Sequence, residues 1–232
     1  MWSKIAGVIF DLDGVLVCTD ELHLRSWERL AREESLFFNE AIYSKRMRGA
    51  GRMACLATLL GQSPGGGSEA YTSAEKEALA ERKNRYYQGL ARTLTSDDAT
   101  PGVRRMLTEL RQRGIKTAIG SSSRNALLIL ERVGLSGLFE ATVDGNDIAR
   151  SKPDPQVFLL AAKRLGLSPS ECLVVEDAPL GIEAARRAHM AVFGIGTAES
   201  LVGVKCLAPS LSQVTVDDLL AAGNCDQTSL PP

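Results

Sequence analysis

The chain has 232 residues, of which 27 are lysine or arginine and 28 are aspartate or glutamate, so its formal net charge is −1. That balance predicts no nucleic-acid or membrane partner, and no apolar run is long enough to span a bilayer. Five scattered cysteines without a Cys-x-x-Cys pair argue against a disulfide framework or a zinc cluster, and together with the missing signal segment they predict a cytoplasmic protein.

The first predicted element is a short buried strand over residues 5–10, where an apolar run ends at two acids. Asp11 and Asp13 face the same way, and Gly14 permits a sharp turn behind them. Two carboxylates this close repel each other unless a cation or a shared proton lies between them. The pair therefore indicates a divalent metal, one ionised carboxylate and an acid that moves protons, or else a strand that merely ends in a polar turn.

A segment with helical patterning throughout follows this strand. The predicted helices begin near Asp20, cover residues 39–47 and run from Ser73 to at least Leu90. The glycine-rich stretch 62–68 is low in complexity and is predicted to be flexible. Because these helices lie between two regions that contain strands, we predict an inserted helical cap. The predicted domains are a cap of residues 18–93 and a core of residues 1–17 and 94–232.

Two arginines with two glycines between them interrupt the helical segment. The sequence there is Arg48-Gly49-Ala50-Gly51-Arg52. Backbone N–H groups and guanidinium groups in such a loop can hold an anion, although a solvated connection between helices has the same composition. His23, one of only two histidines, lies soon after the acid pair, in the first turn of a helix where surface histidines are also common.

From Pro101 onward strands and helices alternate. The predicted strands cover residues 115–120, 139–144, 173–175, 191–196 and 204–207. The predicted helices cover residues 103–113, 126–133, 156–165 and 216–220, and residues 224–232 form a frayed tail. This alternation is typical of α/β proteins, so we predict a doubly wound parallel sheet with helices on both faces.

Polar residues follow these later strands as well. The predicted strand 115–120 ends at Ser121-Ser122-Ser123-Arg124-Asn125. Hydroxyls, backbone N–H groups and a helix start there favour a phosphate site, although an ordinary helix cap uses the same groups. Lys152 is held beside two prolines, and the strand 173–175 ends at Glu176 and Asp177. Several carboxylates suit Mg²⁺, whereas a lysine and a serine suit a phosphoryl group that a carboxylate nucleophile attacks.

The sequence resembles the haloacid dehalogenase-like phosphotransferase (HAD) superfamily in four motifs that occur in the order of that family. These are Asp11-Leu12-Asp13-Gly14-Val15, Gly120-Ser121-Ser122, Ser151-Lys152-Pro153 and Glu176-Asp177. The resemblance covers the chain except its tail and implies a HAD Rossmann-like core with an inserted α-helical cap. It also implies that Mg²⁺ is the cofactor.

The resemblance assigns a role to each matching residue. Asp11 would be the nucleophile and Asp13 the general acid and base. Ser121 and Lys152 would hold the phosphate that is transferred. The implied Mg²⁺ ligands are Asp11, the main-chain carbonyl of Asp13, Glu176 and Asp177.

Within the superfamily the cap resembles that of the β-phosphoglucomutase group. The matching stretches are residues 19–23, 48–52, 81–84, 121–125 and 144–148. By this resemblance Arg52 would grip the phosphate that is not being transferred. His23 and Lys83 would help to place Asp13 and the sugar when the cap closes. The implied substrate-binding residues are Thr19, His23, Gly49, Ala50, Arg52, Lys83, Ser122, Ser123, Arg124 and Asn125.

Three positions depart from the pattern of that group. Cys18 stands where aspartate is frequent, and Arg48 and Gly51 stand where lysine and serine are common. The glycine removes a hydroxyl that could touch the sugar or its phosphate. The ordering of the cap loop is therefore less closely specified by the resemblance than the chemistry of the core.

The resemblance implies a monomeric isomerase that interconverts β-glucose 1-phosphate and glucose 6-phosphate. The reaction would pass through an aspartyl phosphate and glucose 1,6-bisphosphate, so hexose phosphates and bisphosphates are the expected partners. A sugar-phosphate phosphatase uses the same core chemistry and stays an alternative. A silent binding protein on the same fold is a third reading, but every core catalytic position carries the expected residue type.

Overall fold

The structure, a computed structural model, describes residues 5–62 and 67–223. Its centre is a six-stranded sheet in the order β3-β2-β1-β4-β5-β6, and every neighbouring pair is parallel. The strands are β1 Gly7–Phe10, β2 Lys116–Gly120, β3 Ala141–Val143, β4 Cys172–Glu176, β5 Ala191–Ile195 and β6 Leu207–Ala208. The predicted parallel sheet is confirmed, and β1 lies between β2, which Ser121 follows, and β4, which Asp177 follows.

Nine α-helices connect and cover these strands within the described residues. They are α1 Asp20–Glu33, α2 Glu40–Ile42, α3 Arg52–Gly61, α4 Ser73–Ala91, α5 Val103–Gln112, α6 Ala126–Arg132, α7 Gln156–Leu165, α8 Pro179–Arg187 and α9 Val216–Ala222. None of them is both long and apolar enough to cross a bilayer. Helix α4 starts at a capping box in which Thr72 and Glu75 satisfy each other's backbone N–H groups.

The sheet is covered on both faces, as the alternation of strands and helices predicts. Val8 and Phe10 point to one face, where they join a buried cluster with α5, α6 and α9. Ile9 points to the other face and packs among residues of α7 and α8. All four residues of β1 are buried, which explains why the strand reads as a continuous apolar run rather than an alternating one.

Helices α1, α3 and α4, together with the π-helical turn Tyr43–Met47, pack around a third buried cluster of their own. Trp27 and Leu30 of α1, Leu56 and Leu60 of α3, and Ala80 of α4 belong to it. A separate core is what an inserted helical domain needs, because each amphipathic helix must bury its apolar face. The division into a cap of residues 18–93 and a core of residues 1–17 and 94–232 stays a prediction.

Two elements differ from their predicted form. The predicted helix 39–47 is a single turn, α2, that continues as a π-helical turn over Tyr43–Met47 and buries both of its end residues. The predicted strand 204–207 is displaced to β6, where Pro209 follows and cannot donate a ladder hydrogen bond. The frayed tail 224–232 and residues 63–66 of the predicted flexible stretch lie outside the described residues.

Candidate active site

The carboxyl ends of β1 and β4 bring a lysine and two acids into contact. Asp11 follows β1, Glu176 ends the adjacent β4, and Lys152 lies in the loop before α7. The Lys152 Nζ atom is 2.5 Å from Asp11 Oδ1 and 2.7 Å from Glu176 Oε1, and all three side chains are buried. Burial alone would lower the pKa of Lys152, but the two carboxylates hold that pKa above its ordinary value.

Glu176 is fixed by its own backbone neighbourhood. Its Oε2 atom accepts hydrogen bonds from the N–H groups of Asp177 and Ala178, each at 2.7 Å. The start of α8 also lies against this carboxylate, since a Cβ atom built on Gly181 would be 1.6 Å from Glu176 Oε1. The glycine is therefore required by close approach, and it lets α8 pack directly over the acid.

Three buried carboxylates converge at this edge of the sheet. Asp11, Glu176 and Asp177 each offer an oxygen within 4.8 Å of the others. Burial raises the pKa of Asp11 to about 7 and raises that of Asp177 well above its ordinary value, and the neighbouring Glu176 charge adds to both effects. Hard oxygen donors that repel one another in a dry site fit Mg²⁺, because a divalent cation would offset that repulsion.

Asp13 occupies the side of the site that faces the helical segment. Its Oδ1 atom accepts a hydrogen bond from the Thr19 hydroxyl and lies 4.0 Å from His23 Nε2. Burial raises the pKa of Asp13, while the Thr19 hydrogen bond opposes that shift and the charge of Asp20 adds to it. A carboxyl group with these neighbours is suited to holding and releasing a proton. The contact of its main-chain carbonyl with Mg²⁺ stays a prediction.

A lysine and a histidine from the helical segment extend this arrangement. Lys83 Nζ is 2.8 Å from His23 Nδ1 and lies 4.8 Å and 4.9 Å from the ring centroids of Trp27 and Tyr87. Burial, followed by the charge of Lys83, holds the pKa of His23 well below 6.5, so its ring is neutral near pH 7. When Lys83 donates to Nδ1, the histidine proton lies on Nε2, the nitrogen that faces Asp13.

The lowered pKa of Lys83 can be tested through the pH dependence of the unfolding free energy. Burial lowers the pKa of Lys83 to about 7 in the folded protein, whereas the unfolded chain titrates near 10.4. Between these values the unfolded state binds the extra proton, so the parent gains stability as pH rises. We expect Lys83→Met to exceed the parent in unfolding free energy at pH 7, and this excess should shrink by about 3 kcal/mol by pH 9.5.

Urea unfolding at the two pH values measures this difference. Lys76→Met, on the same helix, is the matched control and should leave the pH dependence unchanged. A stability difference between Lys83→Met and the parent that is equal at both pH values would contradict a buried lysine with a lowered pKa.

The serine-rich loop after β2 is held by its own hydroxyls. Ser121 Oγ accepts from the Ser123 N–H at 3.0 Å, and Ser123 Oγ accepts from the Asn125 N–H at 3.2 Å. The Ser122 hydroxyl accepts a longer hydrogen bond, 3.4 Å, from the Lys152 N–H. These hydroxyls order the loop backbone and also line the site, whereas the helix cap residue Asn125 makes no side-chain cap hydrogen bond. Phosphate binding at this loop stays a prediction.

Helix α4 is tied to this loop by side-chain amides. Asn125 Nδ2 donates to Asn84 Oδ1 at 2.9 Å, and Gln88 Nε2 donates to Asn125 Oδ1 at 2.9 Å. Asn125 is buried, so both ends of its amide are paired away from solvent. The predicted phosphate-binding asparagine therefore also joins the helical segment to the core. Sequence reasoning gives Asn84, in the matching stretch 81–84, and Gln88 no role, because an amide on a helix face carries no signal of its partner.

The loop between α2 and α3 reaches across to the acidic edge. Arg48 Nη2 is 2.5 Å from Asp177 Oδ2, and Arg48 Nε is 2.7 Å from Asp20 Oδ2. Gly49, with φ +74°, leaves only 2.8 Å between a built Cβ atom and Ala178 Cβ. A Cβ atom on Gly51 would lie 2.5 Å from Ser151 Oγ, so the glycine that departs from the group pattern fits against a neighbouring serine.

Most of the predicted site residues line one or both of two cavities. The inner chamber, of about 70 Å³, is lined by Asp11, Asp13, Asp20, His23, Trp27, Tyr43, Met47, Arg48, Gly49, Cys55, Ser121, Ser122, Ser123, Lys152, Glu176, Asp177 and Ala178. The outer chamber, of about 600 Å³, is lined by His23, Trp27, Arg52, Met53, Cys55, Glu77, Ala80, Glu81, Lys83, Asn84, Ser122, Ser123, Arg124, Asn125, Gly145, Ile148, Ala149 and Ser151. The residues common to both form a shared wall, and the outer volume is typical of a small-molecule site.

Of the predicted site residues, Thr19 and Ala50 line neither chamber. Thr19 is fully buried and acts on the site through its hydrogen bond to Asp13. Ala50 packs against the buried cluster of the helical segment instead. Asp20 and Glu81 lie in stretches that match the group pattern, but the sequence assigned neither a role, because acids are common on helix surfaces.

Comparison with known proteins places this geometry among related folds. The model of the haloacid dehalogenase-like hydrolase family matches residues 5–189. A β-phosphoglucomutase of Bacillus subtilis is 40% identical over 211 residues, which cover 91% of this chain and 92% of that protein. A fructose-1-phosphate phosphatase of Escherichia coli is 30% identical over 191 residues, which cover 82% of this chain and 96% of that protein.

A solved structure gives the same picture. The crystal structure of a β-phosphoglucomutase from Clostridium difficile superposes with a TM-score of 0.88 at 32% sequence identity. The match covers 95% of this chain and 97% of that one, so it includes both the sheet and the helical segment. The predicted fold and the predicted family resemblance are confirmed by this match and by the family model together.

Proposed function

The chain belongs to the haloacid dehalogenase-like hydrolase family, and from that premise we propose that it interconverts β-glucose 1-phosphate and glucose 6-phosphate through glucose 1,6-bisphosphate. One observation carries the proposal. Cationic side chains line both chambers, with Lys152 in the inner chamber and Arg52 and Arg124 in the outer one. A bisphosphorylated sugar has an anionic group at each end, and each group needs such a partner.

The inner chamber would carry the phosphoryl transfer. An Asp11 carboxylate oxygen attacks phosphorus, a new P–O bond forms, and the bond to the leaving sugar oxygen breaks. Lys152 and the Ser121 hydroxyl neutralise and position the phosphoryl oxygens, as transfer of this group mainly requires. The product is an aspartyl phosphate on Asp11, and the reverse step returns the group to another sugar oxygen.

Asp13 would move the proton that this exchange requires. As the phosphoryl group leaves a sugar, Asp13 protonates the departing oxygen, and it takes a proton from the hydroxyl that later attacks the aspartyl phosphate. The Thr19 hydroxyl holds Asp13 in place, and His23 Nε2 lies 4.0 Å from the same carboxylate oxygen. Lys83 sets the histidine tautomer from the other side of the ring.

Mg²⁺, held by Asp11, Glu176, Asp177 and the main-chain carbonyl of Asp13, would neutralise charge on the phosphoryl oxygens. The carboxylates of this chain supply the hard donors that such an ion needs. The Glu176 carboxylate is itself held in one orientation, because two backbone N–H groups contact one of its oxygens and Lys152 contacts the other.

The helical segment would keep water from the aspartyl phosphate. Arg48 and Gly49 line the inner chamber and lie against Asp177 and Ala178, so this loop would help to exclude water there. Excluding water favours return of the phosphoryl group to a sugar over its hydrolysis. A cytoplasmic location and a monomeric state belong to the same proposal.

A sugar-phosphate phosphatase is the second candidate, because one of the similar proteins is a fructose-1-phosphate phosphatase. The inner chamber serves either reaction, since both begin with an aspartyl phosphate. The outer chamber favours the mutase, because hydrolysis of a monophosphate needs no second group of cations, such as Arg52 and Arg124, apart from Lys152.

The deciding experiment supplies β-glucose 1-phosphate, Mg²⁺ and a trace of glucose 1,6-bisphosphate. We expect glucose 6-phosphate to form with little free phosphate, and fructose 1-phosphate to serve as the matched phosphatase substrate. Release of free phosphate without glucose 6-phosphate would reject the mutase and favour the phosphatase. No turnover of either substrate, with the protein folded, would reject both.

A further inference from the structure

An ion pair between two helices stands in the wall of the outer chamber. Arg52 is the first residue of α3, and Glu81 lies in the middle of α4. Arg52 Nη1 is 3.0 Å from Glu81 Oε2, and both side chains line the chamber. Arg52 is the arginine to which the proposed function gives the phosphate that is not transferred, so its partner bears directly on that phosphate.

The chamber contains a second arginine without such a partner. Arg124 lines the same cavity, and among the described residues no acid lies within ion-pair distance of it. Burial and then the charge of Arg124 act on Arg52 to lower its pKa, while Glu81 opposes both effects. Glu81 is thus the counter-charge that Arg52 contacts in a chamber that also contains Arg124 and Lys83.

We propose that Glu81 competes with the outer phosphate of the substrate for Arg52 and thereby sets how tightly the outer chamber holds that phosphate. This rests on the proposed function, which puts a sugar phosphate in the outer chamber. Glu81 is a specificity-determining residue in this role and takes no part in the phosphoryl transfer itself.

Competition follows from geometry and charge. A phosphate that binds the end-on fork of Arg52, formed by Nη1 and Nη2, meets the Nη1 atom that Glu81 already contacts. Glu81 is 56% exposed, so releasing it into solvent costs little. If Glu81 remains beside Arg52, its charge repels a doubly charged phosphate about 6 Å away. In water-like surroundings this repulsion weakens phosphate binding by about tenfold.

An intermediate affinity for the outer phosphate suits a reaction in which the sugar bisphosphate must reorient within the site. In a mutase the bisphosphate has to present first one phosphate and then the other to Asp11, so the outer phosphate must be released within each cycle. Glu81 can replace the departing phosphate on Arg52, which avoids leaving the guanidinium unpaired. A variant that loses this carboxylate should show a lower KM for β-glucose 1-phosphate without a higher kcat.

Binding of glucose 6-phosphate, measured by titration calorimetry in EDTA, tests the proposal without turnover. We expect Glu81→Gln to bind this ligand about tenfold more tightly than the parent. Glu77→Gln is the matched control, because Glu77 lies one turn earlier on α4 and lines the same chamber without contacting Arg52. Its affinity should change by less than about twofold. Arg52→Ala should weaken binding, and adding Glu81→Gln to it should have little further effect.

Several results would overturn the proposal. Unchanged or weaker binding by Glu81→Gln would mean that Glu81 orients Arg52 rather than competing for it. If Glu77→Gln raised the affinity for glucose 6-phosphate equally, the effect would come from net charge and not from competition for Arg52. The same would hold if Glu81→Gln still raised the affinity in the Arg52→Ala background. The mutase proposal has its own test, which is whether glucose 6-phosphate or free phosphate forms. The comparison of binding affinities can be interpreted whichever product is found.

Discussion

Replacing Asp11 with asparagine should lower turnover of β-glucose 1-phosphate by at least about 10⁴-fold. The amide is nearly isosteric but is not a nucleophile toward phosphorus, so no aspartyl phosphate can form. The variant also loses the charge that lies 2.5 Å from Lys152, although Glu176 still pairs with that lysine. Formation of glucose 6-phosphate, with the far-UV circular dichroism spectrum as the check on folding, measures the loss.

Asp20→Asn is the matched control for this variant. Asp20 lines the same chamber and contacts Arg48, but it is separated from Lys152 and is partly exposed. We expect its turnover to fall by less than about tenfold, in keeping with the small contribution of exposed ion pairs. Retained turnover in Asp11→Asn, or an equal loss in both variants, would remove Asp11 from the nucleophile role.

Replacing Asp13 with asparagine should separate proton transfer from metal binding. The amide can still accept from Thr19, but it can neither take up nor release the proton, so turnover should fall by about 10²–10⁴-fold. Mg²⁺ affinity, measured by calorimetry, should change by less than about threefold, because the metal is proposed to contact only the main-chain carbonyl of Asp13.

Asp177→Asn is the complementary variant. Asp177 is one of the three converging carboxylates, so losing its charge should weaken Mg²⁺ binding by at least about tenfold. Its turnover should recover in part at high Mg²⁺, whereas that of Asp13→Asn should not. A large loss of Mg²⁺ affinity in Asp13→Asn with its chemistry intact would contradict the assigned division of labour.

Local signals in the sequence were sufficient for most of the fold. Helix α7 has the predicted bounds because Pro155 precedes it and Gly166, at φ +68°, ends it. The strands of the sheet centre were recognisable since burial on both faces makes them continuous apolar runs. Strand β6 was misplaced because it has two residues and depends on pairing with β5, which no local pattern encodes.

The site was predictable to the extent that it is built from strand ends. Asp11, Ser121 and Glu176 come together because β2, β1 and β4 are neighbours, and acids after apolar runs are visible in sequence. Contacts such as those of Arg48 with Asp177 and of Asn84 with Asn125 were not predictable. They depend on how the helical segment is oriented on the sheet, and side-chain spacing within a helix does not determine that orientation.

The shared wall between the two chambers has an evolutionary consequence. The groups that we propose for phosphoryl transfer mostly follow the strands of the sheet, whereas much of the lining proposed to meet the rest of the ligand comes from α3 and α4. Mutations in those two helices can thus accumulate and alter which sugar is accepted, while the transfer machinery is inherited unchanged. Proteins that diverge in this way would retain the phosphoryl-transfer step and acquire different sugar substrates.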